Sequence, residues 1–110
     1  MIGWKHDRRP EVDEGTPLGL YRAASAMENR LRAMMNQDPY APLTGEYADT
    51  YNRLIDAARR LVPTSIALRE DVEPIDAEHE VDVDAAFRAV HVTLLPAIHN
   101  ALPETEYAAV

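Results

Sequence analysis

From Pro17 onward the apolar positions recur at helical spacing. Leu20, Ala24, Met27, Leu31 and Met34 follow one another at steps of four, three, four and three. With Met35 they span about 100° of an ideal helix, the width of a core-facing stripe. Arg22, Ser25, Asn29 and Arg32 take the opposite side. Thr16-Pro17 supplies a capping hydroxyl and a proline at the first helical position. Pro39 biases Asp38 away from the α region, so this helix is expected to fade near Gln37.

After the loop DPYAPL, Thr44 can cap a second helix. Tyr47, Tyr51, Leu54, Ala58 and Leu61 form its stripe, Asp49, Asp56 and Arg60 lie outside, and Pro63 stops it. Two amphipathic helices joined by a short loop predict an antiparallel hairpin, and their single apolar faces require a third element. A helix from about Asp84 to Leu102 answers that need, with Phe87, Val90, Leu94, Ile98 and Ala101 on its stripe. Asp82 or Asp84 can cap it. Pro96 lies about 180° from Phe87 on an ideal helix, so a bend is expected on the solvent side. Residues 64–75 fit either two turns of helix or a short strand.

The pattern therefore predicts an all-α fold: a small bundle of three helices, or four, with an acidic extended segment before the last. Residues 1–15 read as a flexible N-terminal arm with Trp4 as its one anchor. Residues 16–102 form the helical bundle domain, and 103–110 a frayed tail ending in Ala-Ala-Val. Such an ending resembles the small apolar termini read by tag-dependent proteases. A chain of 110 residues fits one domain with a modest core. The narrow stripes leave edges that a twofold homodimer would bury.

Charge changes this picture in one place. The formal net charge is −8, from 19 acidic and 11 basic residues. Residues 70–84 hold eight of the acids (Glu70, Asp71, Glu73, Asp76, Glu78, Glu80, Asp82 and Asp84) and no lysine or arginine. The other eleven acids balance the eleven bases, so the whole imbalance sits in this segment. Such a field disfavours nucleic acid and anionic membranes and favours a basic protein partner. With no cysteine, disulfides and thiolate metal sites are excluded. No apolar run approaches the roughly 20 residues that span a bilayer, and the first residues lack the apolar core of a signal peptide, so a cytoplasmic location is expected. Ten of the eleven basic residues are arginine, a codon habit of GC-rich genomes such as those of actinobacteria and their phages.

Within the run, DAEHEVDVD places a carboxylate at every second position of 76–84. An EF-hand loop begun at Asp76 would need glycine and glutamate where Val81 and Phe87 stand. In an extended chain, alternate carboxylates stand roughly 6.6 Å apart, too far for neighbours to share an ion. The alternation predicts instead a half-buried extended edge. Asp76, Glu78, Glu80, Asp82 and Asp84 would face solvent, with Ile75, Ala77, His79, Val81 and Val83 facing inward. Such an edge either discourages aggregation or docks a basic partner. The partner-binding residues would be Glu70, Asp71, Glu73, Asp76, Glu78, Glu80 and Asp82.

The second candidate is His91. It and His99 are about 12 Å apart along a helix, so one ion cannot bridge them. His91 points with the apolar stripe, which predicts a buried or half-buried imidazole bonded to the hydroxyl of Tyr47 or Tyr51. The alternative is a small-molecule or metal-binding regulatory bundle using that interior. Met27, Met34 and Met35 can serve as core or as an adaptable groove. No nucleophile elbow or phosphate-binding glycine loop is present, so no enzyme, metal or cofactor is expected. The function read from the chain is a non-catalytic interaction protein, an adaptor or an inhibitor of a basic partner, docking through residues 70–84.

Overall fold

The computed structural model describes residues 14–102; the N-terminal arm with Trp4 and the tail with its Ala-Ala-Val ending lie outside the described residues. Helix α1, Pro17–Met35, begins where Thr16 accepts a hydrogen bond from the Gly19 N–H at 3.1 Å. It buries Leu20, Ala24, Met27 and Leu31, while Met34 and Met35 are half-buried. Helix α2, Gly45–Leu61, runs back alongside it. Thr44 occupies its N-cap but makes no side-chain cap. The chain instead enters through Gly45 at φ +65°, a left-handed conformation that glycine adopts without a Cβ penalty.

The buried face of α2 is Ala48, Tyr51, Leu54, Ile55, Ala57 and Ala58. It is wider than the stripe expected from the sequence because α3, Ile66–Glu70, folds back over it. Residues 64–75 are thus one short turn of helix, capped by Ser65, followed by chain without regular structure. Leu68 seats that turn in the core.

The last element is one helical run in three parts: α4, Val83–Arg88; a π-helical segment, Ala89–Leu94; and α5, Leu95–Asn100. Asp82 caps it, accepting from the Ala85 N–H at 2.8 Å. The expected bend at Pro96 takes the form of the π segment just before it. An α-helix would require Pro96 to donate an N–H it lacks and would press its ring against the carbonyl of residue 92. The widened turn accommodates this, with the Leu95 N–H reaching Val90. Pro96 itself is exposed, as expected.

The fold is accordingly an all-α bundle in which α1 lies against α2, α4, the π segment and α5. Among the described residues there is no strand, only two isolated bridges. Leu31, Leu54, Leu94 and Ile98 are fully buried, as the pattern predicts; Phe87, expected beside them, is only half-buried. No helix among the described residues is long and apolar enough to cross a membrane.

Candidate functional site: an acidic loop and its cleft

The acidic run is built differently from the extended edge that its alternation predicts. Its first part closes into a tight turn. The Asp76 and His79 backbones exchange hydrogen bonds at 3.1 and 3.2 Å, and the Asp76 carboxylate accepts from the Glu78 N–H at 2.8 Å. Aspartate readily makes such a local bond to the backbone two residues on, and this competes with extension. The alternation therefore breaks: Ala77, expected inward, is exposed at the turn.

The expected extension survives only at Asp82, which bridges to Pro42 before α4 begins at Val83. The Leu43 N–H donates to Val81 and the Val83 N–H to Ala41, both at 2.9 Å, and Val81 and Val83 are buried. The charges divide accordingly. Glu70, Asp71, Glu73, Asp76, Glu78 and Glu80 are exposed. Asp82, expected among the solvent-facing partner-binding acids, is half-buried because its carboxylate is the helix cap. Asp84, expected on the same exposed face, is also half-buried and pairs with Arg88 one turn on.

What holds the loop was not legible as a motif. Arg59 on α2 donates to the carbonyls of Leu68 at 2.8 Å and Val72 at 2.6 Å, bracketing the end of α3. Asn52, two turns earlier, pairs with both backbone groups of Ile75 at 2.8 Å each. Leu68, Val72, Val81 and Val83 anchor the same chain into the core. The exposed carboxylates thus stand on a backbone pinned at both ends. Among the described residues none of the six pairs with a lysine or arginine; Glu73 meets His79 Nε2 at 3.1 Å.

Between the two limbs of the loop lies a cleft of about 260 Å³. It is lined by Glu70, Asp71, Val72, Glu73, His79, Val81, Ala85, Ala89 and Tyr51. Tyr51 is 1% exposed, and no described residue hydrogen-bonds to its hydroxyl. Burial pushes its pKa up to about 12, because the phenolate would lose its hydration. A buried hydroxyl left unpaired ordinarily costs about 1–3 kcal/mol.

The expected interior site around His91, Tyr47 and Tyr51 is not formed. His91 lies on the surface, its side chain 54% exposed, with Nδ1 bonded to the Glu28 carboxylate of α1. Its ring stacks on Phe87 with centroids 5.4 Å apart, and the Arg32 guanidinium lies 5.3 Å from the Phe87 centroid. The reason is the register of the last helix. Its buried column is Ala86, Val90, Leu94 and Ile98, at steps of four. A π segment turns less per residue than an α-helix, so it keeps that column aligned through the middle of the run. His91, one position further, falls on the flank.

Tyr47 is 37% exposed under Arg30, in a groove between α1 and α2. The three side chains line three different depressions. Among the described residues no three histidines or acids converge as metal ligands. Comparison with family models, curated proteins and solved structures gives no match.

Proposed function

We propose that this protein is a non-catalytic interaction module that docks a basic protein partner through the loop at residues 70–80. It would act as an adaptor, or as an inhibitor that masks the partner's basic surface. The observation that carries this reading is the set of six exposed carboxylates that, among the described residues, have no lysine or arginine counterion and stand on an anchored backbone. A loose acidic tail would lose conformational entropy on binding, whereas a loop already fixed by Arg59, Asn52 and four buried apolar side chains loses less. A field of one sign accelerates encounter with the opposite sign and repels nucleic acid.

The test compares immobilised wild type with a variant carrying amides at Glu70, Asp71, Glu73, Asp76, Glu78 and Glu80. Both are challenged with a host-cell extract fraction enriched in basic proteins, at low and at physiological salt. A partner held by wild type, with an association rate that falls steeply with salt, should be lost by the variant. Capture of the same proteins by both chains at both salt concentrations would remove the acidic loop from the function.

A further inference from the structure

We infer that the cleft between the two limbs of the acidic loop receives an arginine side chain of the partner, with Tyr51 as the buried acceptor at its base. The inference rests on the docking reading above but goes beyond it, because it names one anchor and one slot rather than a charged surface. Two independent observations converge on the slot. Glu70 and Glu73 stand on its rim, and Tyr51, buried and with its hydroxyl unpaired among the described residues, forms part of its lining.

The walls suit a long cationic side chain. Val72, Val81 and Ala85 offer an apolar channel for a methylene stem, while the Glu70, Asp71 and Glu73 carboxylates and the Tyr51 hydroxyl offer acceptors to the charged head. His79 is the one basic group on the lining, and it is turned to Glu73. Arg59 is held by backbone carbonyls, and Arg69, the nearest other cation in sequence, does not line the slot. A volume of about 260 Å³ falls below the usual range for small-molecule pockets and suits a single side chain. A guanidinium, with five donors in a plane, can address a hydroxyl and two carboxylates at once, which a compact ammonium does less well.

The experiment titrates the isotope-labelled full chain with Nα-acetyl-arginine N-methylamide and, separately, with its neutral citrulline counterpart, following backbone amide shifts. The arginine probe should move the amides of 70–73, 79–81 and 85, at least tenfold more tightly than citrulline. Tyr51→Phe keeps the ring in the core and should weaken arginine binding about three- to tenfold, one hydrogen bond's worth, without lowering the melting temperature. Glu78→Gln with Glu80→Gln, outside the slot, should leave the single-residue probe unaffected.

Equal shifts with citrulline, or unchanged affinity in Tyr51→Phe, would overturn the slot. If the slot fails while the six-amide variant still loses its salt-sensitive partner, docking through the loop survives without an anchor. If both fail, the acidic loop is not a binding surface.

Discussion

Two regions of the molecule concentrate charge, and they treat it in opposite ways. On the α1 side, Glu28 contacts both His91 and Arg32, and Arg32 also covers Phe87, so charge is compensated within the fold. In the loop at 70–80, six carboxylates are presented outward, and among the described residues the one basic side chain paired with any of them is the His79 imidazole, on Glu73. What the fold supplies to this loop is anchoring, not compensation. The loop backbone is held by apolar side chains and by Arg59 and Asn52, none of which neutralises a carboxylate. Compensation on one side and anchoring on the other separate surface that stabilises the fold from surface left open for a partner.

The contrast breaks most severely at the anchors. Leu68→Ala should cost about 2–5 kcal/mol, as large-to-small changes at fully buried sites do, and should free the loop along with α3. Denaturant unfolding measures the cost, and amide exchange at residues 70–76 reports the loosening. Arg59→Ala leaves the carbonyls of Leu68 and Val72 without their charged donor and should cost about 1–3 kcal/mol, with the same local loosening. A stable variant with unchanged exchange protection would show that the loop is held by its apolar residues alone.

Tyr51 sharpens the comparison through pH. Its folded pKa is raised to about 12 from 10.0, so the neutral hydroxyl is favoured by folding. That contribution is fully present below pH 10 and is lost as pH rises towards 12, because the unfolded chain ionises first. Wild type should therefore lose stability relative to Tyr51→Phe across this window. Parallel pH profiles for the two chains would place the hydroxyl in contact with water.

The smallest effect is expected on the compensated side. His91→Ala removes an exposed contact with Glu28 and should cost no more than about 1 kcal/mol in thermal unfolding. A loss of several kcal/mol would mean that the α1 surface, and not the loop anchors, holds the last helix in place.

Several features follow from the sequence by itself. The periodicity of Leu20 to Leu31 and of Val90 to Ile98 marks helices that must bury one face, whatever they bury it against. Thr16 and Asp82 begin their helices by short-range capping, a matter of three residues. The concentration of the net charge in 70–84 is a property of composition, and the inward direction of Val81 and Val83 follows from their flanking acids.

Tertiary structure decided the rest. Whether Asp76–His79 extends or turns depends on a local aspartate bond competing with pairing to a distant segment, and residues 39–43 reach only as far as 81–84. His91 is on the surface because the buried column runs Ala86, Val90, Leu94 and Ile98, kept aligned by the π segment before Pro96, and His91 stands one position off it. Tyr51 lines the acidic cleft, and Arg59 and Asn52 hold its backbone, through contacts spanning 9 to 23 residues between Arg59 or Asn52 and the loop. Spacing along one helix cannot encode such contacts, since it fixes the face a side chain occupies but not the backbone group that arrives opposite it.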